Sequence, residues 1–165
     1  MASNGEILKQ IVTEVTPRLE VIPAPVANDK PDPAKWSKQE ILGHLIDSAN
    51  HNHRRFVAAV LQDDLVFDGY DQDQWVAVQR YQDAEWAWII QFWRAYNLRL
   101  AEIIDQLPEY QLTRARETHN LNRIAWKTVP VDRPVTLDYL IKDYIVHLEH
   151  HLRQILNDYQ PVMSD

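Results

Sequence analysis

The chain has 165 residues, a net charge of −7, a sequence pI near 5.4 and no cysteine. That length suits one domain able to bury most of its apolar surface; the acidic balance argues against a nucleic-acid partner, and the missing cysteines exclude disulfides, thiolate metal ligands and thiol nucleophiles. No apolar stretch is long enough to cross a bilayer and the opening MASNGEILKQ lacks the apolar core of a signal peptide, so a soluble cytoplasmic protein is expected.

Prolines divide the chain into four helical segments, and no stretch alternates strictly between apolar and polar residues as a half-buried strand would. The first segment, about Asn4 to Leu19, places Ile7, Leu8, Ile11, Val12 and Val15 on one face. VIPAPVANDKPDPAK then breaks the pattern with its prolines. The second segment opens at WSKQE, where Ser37 and Glu40 have capping-box spacing, and runs to about Leu61. A polar, aromatic connection follows, with a turn at FDGYD. The spacing in DGYDQDQ is faintly like a calcium loop but lacks the closing bidentate glutamate, so calcium is rejected. The third segment spans about Asp83 to Leu107 and carries Trp86, Ile89, Ile90, Trp93 and Leu98. After a second long connection, the fourth begins near Val135, with Thr136 as its cap, and ends before Pro161. Four amphipathic helices imply an all-α four-helix bundle in a single domain over 1–165, and the two long connections imply crossovers rather than hairpins. Trp36, Trp86 and Trp93 follow the helix period and read as core.

The histidines supply the chemistry. In the fourth segment Leu137, Leu140, Ile141, Tyr144, Leu148, Leu152 and Ile155 form the apolar stripe. His147 and His151, four residues apart, stack along its margin, whereas His150 points away. In the second segment His44, Ser48, His51 and Arg55 line up as a polar ridge beside an apolar arc, and His53 reads as a surface residue. His44 lies about 12 Å from the start of its helix near Trp36, and His151 about 10 Å from the end of its own near Asp158. Antiparallel packing would put both at one level of the bundle, with His147 a turn away. Three imidazoles then converge on a point and leave one side of an ion open, as in catalytic zinc sites. A partly buried histidine more commonly just hydrogen-bonds, and His-x-x-x-His alone is a weak signal.

WSKQEILGHLIDSANHNHRRF, FDGYDQDQW with the following QRY, and TLDYLIKDYIVHLEHHLRQIL together resemble the DinB superfamily, including its YfiT-like members. The resemblance covers nearly the whole chain, and its most specific parts are the GHLIDS histidine and the H-x-x-x-H-x-x-Q-I ending. It implies a four-helix bundle with a long crossover between the second and third helices. It also implies a divalent metal, zinc or nickel, on three histidines that match His44, His147 and His151. Some relatives resemble transferases acting with low-molecular-weight thiols, others hydrolases.

Such an ion could bind water and lower its pKa to about 7, or hold a substrate thiolate. The expected function is therefore a metal-dependent transferase or hydrolase with a small-molecule substrate. The alternative is a non-catalytic bundle whose ion is structural. His51, two turns from His44 and level with Tyr144 in the antiparallel packing, joins it as a candidate for lining the pocket or proton transfer. Asp47, Ser48 and Arg55 could orient ligands or substrate, although Asp47 falls off the ridge and reads as an ordinary surface residue. Tyr70 and Trp75 could cover the open side of the ion or merely plug one end of the bundle. Aromatic side chains left exposed on a bundle could also support a homodimer.

Overall fold

Ser3, Ser37 and Thr136 each close the first turn of a long helix by accepting a backbone N–H, and Glu6 and Glu40 complete capping boxes at the first two. The structure, a computed structural model, describes residues 2–163. Its elements are α1 (Asn4–Glu20), α2 (Ala24–Asn28), α3 (Lys38–Leu61), α4 (Gln72–Gln79), a 3₁₀ turn at Tyr81–Asp83, α5 (Trp86–Asp105), α6 (Glu109–Thr113), α7 (Leu121–Ile124) and α8 (Leu137–Ile155). The four expected segments are α1, α3, α5 and α8. The third is shorter than its apolar pattern, because Ala84 and Glu85 are extended. The fourth stops at Ile155, where Leu156 leaves helical geometry. Four short helices also lie inside the connections, where too few periodic positions occur to signal them.

Pairwise contacts fix the directions. Lys38 reaches the Ile155 carbonyl, and Ser48 lies beside His147, so α3 and α8 are antiparallel. Ser3 bonds Asp105 and Gln91 bonds Glu20, so α1 and α5 are antiparallel. Gln39 donates to the Tyr81 and Ala84 carbonyls just before α5, and Asn50 reaches Tyr96 within it. Thus α3 and α5 are parallel, which is why a crossover carrying α4 must join them. Leu8, Leu42, Phe56, Ile89, Trp93, Leu100, Leu148 and Leu152 fill the centre, fully buried. Among the described residues there is no strand. Isolated bridges from Leu65 to His119 and from Arg116 to Val135 tie the two long connections down. Arg116 is buried and donates to the Ala59 and Gln62 carbonyls, satisfying the C-terminal end of α3. No helix among the described residues is long and apolar enough to cross a membrane.

Where α3 passes the 3₁₀ turn, Gly43 meets the face of Tyr81, and a Cβ there would lie 2.2 Å from the ring. In a free helix Gly→Ala is favourable by about 1 kcal/mol. Here the crowding reverses the sign, and Gly43→Ala is expected to destabilise by about 1–3 kcal/mol. Urea denaturation should show a lower midpoint at unchanged slope; a midpoint at or above the wild type would mean that Tyr81 gives way freely.

Candidate metal centre

His44 comes two turns after the Ser37 cap of α3, on a stretch buried on every side from Ile41 to Ala49. The antiparallel α8 brings His147 and His151 against it. The ring centroids of the three histidines lie 5.2, 4.7 and 4.6 Å apart, with the rings set edge to face. One nitrogen from each falls within 4.8 Å of the others, and His44 Nε2 is 3.3 Å from His147 Nε2. Two nitrogens sharing a tetrahedral ion at 2.0–2.1 Å would stand about 3.3–3.4 Å apart, so the pair fits such an ion.

Neighbouring groups orient the rings. The Oε1 of Gln154 accepts from His151 Nδ1 at 2.8 Å, which leaves Nε2 free to ligate, while its Nε2 lies 3.3 Å from His150. His147 Nδ1 is 3.4 Å from Ser48 Oγ. His44 Nδ1 is buried with no partner. Trp36 covers His44 at 4.9 Å and Trp126 covers His147 at 5.3 Å. Burial, followed by repulsion from His151, pushes the His44 pKa from the usual 6.5 to about 3. Burial and then the three neighbouring histidines push His147 well below its ordinary value. Burial lowers His151 as well, with the Gln154 hydrogen bond opposing it. All three rings are therefore neutral at pH 7, the form a metal requires.

Beside the rings lies a cavity of about 210 Å³, lined among others by His44, Ser48, Tyr70, Trp126, Tyr144 and His147. Tyr144 thus lies on its wall, but its hydroxyl donates to Asn97 at 2.5 Å, and burial drives its pKa far upward. His51 is outside the three-ring cluster. Its ring stacks on Tyr70 at 3.8 Å with Trp75 at its edge, and burial, then Arg55 and Arg54, lower its pKa to about 4. In the FDGYDQDQW loop, Tyr70 borders the cavity and Trp75 packs on His51. His53 lies beside Tyr96, and His150 is exposed against Trp126.

Asp47 corrects the sequence reading. It is 1 % exposed rather than on the surface, and accepts from the Tyr81 hydroxyl at 2.7 Å and from Gln79 at 3.0 Å. The partners arrive from the crossover, which a helical wheel of α3 does not contain. Trp36 is likewise only half-buried and flanks the site instead of filling the core. Sequence reasoning assigns no role to Trp126, and it includes Gln154 only as part of the H-x-x-x-H-x-x-Q-I ending. An aromatic residue in a polar connection is the signal for the first, and for the second the glutamine that closes H-x-x-x-H-x-x-Q-I, one turn after His150.

The depressed histidine pKa values have a consequence for the metal-free protein. Below pH 6.5 the unfolded chain takes up protons on His44, His51, His147 and His151 that the folded chain refuses. Stability must then rise with pH through this window and fall on acidification, each such group adding up to about 1.36 kcal/mol per pH unit. Urea unfolding at pH 7, 6 and 5 should show this loss, and His44→Gln should flatten the slope. A pH-independent stability over that range would mean that the rings protonate freely in the fold.

Residues 7–155 match the DinB superfamily. No curated protein gives a match. Among solved structures, the fold is similar to YfiT from Bacillus subtilis, described as a probable metal-dependent hydrolase with an unusual four-helix bundle topology. The TM-score is 0.74 at 16 % identity, over 93 % of this chain and 82 % of that one. With the match spanning the histidines of both α3 and α8, the chain belongs to the DinB superfamily.

Proposed function

We propose that the chain is a metal-dependent enzyme for a small cytoplasmic substrate, its divalent ion, zinc or nickel, held by His44, His147 and His151. The observation that carries this reading is the cavity of about 210 Å³ that opens directly on His44 and His147. A structural ion would be closed by a fourth protein ligand. Among the described residues no further histidine or carboxylate joins the cluster, and His51 is stacked on Tyr70 instead. When bound, the ion would supply a Lewis acid able to make water or a thiol a nucleophile at neutral pH. Hydrolysis and transfer to a low-molecular-weight thiol both follow from that property, and the description of YfiT is in line with the first.

The chain's own residues prepare the site. Ser48 and Gln154 hold the His147 and His151 rings in place. Trp36 and Trp126 screen the cluster from bulk water on its flanks. Tyr144 contributes a wall, its hydroxyl already engaged as a donor to the Asn97 side-chain oxygen. His51, neutral at pH 7, lines a larger neighbouring cavity of about 660 Å³. The exposed Trp88 and Phe92 on α5, in contact at 5.3 Å, are the face best suited to a homodimer.

Elemental analysis of protein without a histidine tag should give one divalent ion per chain. His44→Ala, His147→Ala and His151→Ala should each abolish it, Gln154→Ala should weaken it about 10–100-fold, and His53→Ala and His150→Ala should retain it. Equal loss from all the histidine substitutions would reduce the cluster to a general surface affinity.

Chelation should remove turnover of ester or thiol-acceptor substrates, with recovery on adding metal, while circular dichroism keeps its helical signal. The buried aliphatic and aromatic core, not three ligands, holds the bundle together. Collapse of the helical signal on chelation, with no turnover before it, would identify a structural ion and sink the enzyme reading.

A further inference from the structure

The cavity at the histidines does not end there. It shares Arg55, Gly69, Arg123 and Ile124 with a larger cavity of about 660 Å³. Arg54 joins Arg55 and Arg123 on that second wall, together with His51. In a chain of net charge −7, a groove bordered by three arginines runs against the overall balance.

Arg55 is the unusual one. It is only 7 % exposed, yet among the described residues no carboxylate lies within ion-pair distance of it, nor of Arg54 or Arg123. Its Nη2 donates to the backbone carbonyl of Asp68 at 2.9 Å, while the Asp68 and Asp143 carboxylates favour its charge only through space, beyond ion-pair distance. The Asp143 carboxylate, also on the cavity wall, is already occupied by the backbone N–H groups of Trp126 and Lys127 at 2.8 and 2.7 Å. A guanidinium stays charged at any physiological pH, and burying it without a counterion is unfavourable. An oxyanion from outside would relieve that penalty, and the planar fork of donors suits one.

We propose that this groove is an anion subsite: the substrate carries a carboxylate or phosphate group that sits between Arg55 and Arg123 while its reacting part reaches the three histidines. Its role as part of a substrate site rests on the function proposed above; the anion site itself does not. The register on α3 also sets the substrate's shape. His44 and Arg55 are separated by about 16 Å of helix rise, from which the arginine side chain, leaning back toward the N-terminus, recovers part. The substrate is therefore elongated, with its anionic group several bonds from the reacting atom, and the larger cavity takes the remainder.

The test uses the chelated full chain, so that no anion can bind through a metal. Inorganic phosphate and, separately, succinate are titrated at fixed ionic strength while tryptophan fluorescence is followed, Trp126 bordering the cavity. Wild type and Arg94→Gln, an exposed arginine on α5, should bind one of these anions saturably, and which of them binds assigns phosphate or carboxylate. Arg123→Gln and Arg55→Gln should each weaken binding by about tenfold or more. Arg55→Gln also removes the bond to the Asp68 carbonyl; if it fails to fold, Arg123→Gln, which leaves that bond intact, decides the matter. Saturation by neither anion, or equal affinity for Arg123→Gln and Arg94→Gln, overturns the proposal. A chain that binds stoichiometric zinc but no anion overturns this inference alone. A chain that binds anion but no metal overturns the enzyme reading alone.

Discussion

The antiparallel contact between α3 and α8 is the constraint on which the site depends. Only that direction puts a residue two turns into one helix level with residues in the last turns of the other. Below the histidines the same seam is apolar, with Phe56 against Tyr144 at 5.9 Å, so its register is held by packing rather than by the imidazoles. The packing of the two helices itself therefore gathers the histidines, crowding three desolvated rings. Neutrality makes this tolerable, since each ring would repel the others if charged.

The remaining elements are organised around this seam. The parallel run of α3 and α5 forces a long crossover, and that crossover delivers Tyr70, Trp75 and Tyr81 to the outer side of α3. The second connection delivers Arg123 and Trp126, held in place where Asp143 accepts the backbone N–H groups of Trp126 and Lys127. Loops otherwise free to vary become walls because buried polar groups of the helices bind their backbones. Glu149, also on α8 and buried, does the same for the following segment by accepting from Tyr159, Val162 and Met163.

Much of this is legible in the sequence, and for local reasons. Capping boxes depend on residues three apart, and both Ser37 with Glu40 and the cap at Thr136 stand where the sequence places them. Periodicity sorts His44 onto one polar ridge and His147 with His151 onto another, and the helix rise then sets His44 level with His151. It fails where a partner comes from elsewhere. Asp47 looks exposed until Tyr81 covers it, and Trp36 looks like core until the packing of α3 on α8 sets it beside His44. The short helices α2, α4, α6 and α7 span too few turns to leave a periodic trace. Their positions follow from caps and anchors such as Asp71 at α4, whose side chain accepts from Gln74.

His44 and His147 stand 103 residues apart along the chain. During synthesis α3 is complete long before α8 exists, so a growing chain can offer an ion only isolated imidazoles. Contacts this distant are also among the last to be rewarded during folding, because the intervening chain must first be ordered. An ion taken by these three rings would therefore meet a finished bundle with a preset spacing, and not a flexible strand that would accept whichever ion binds imidazole most tightly.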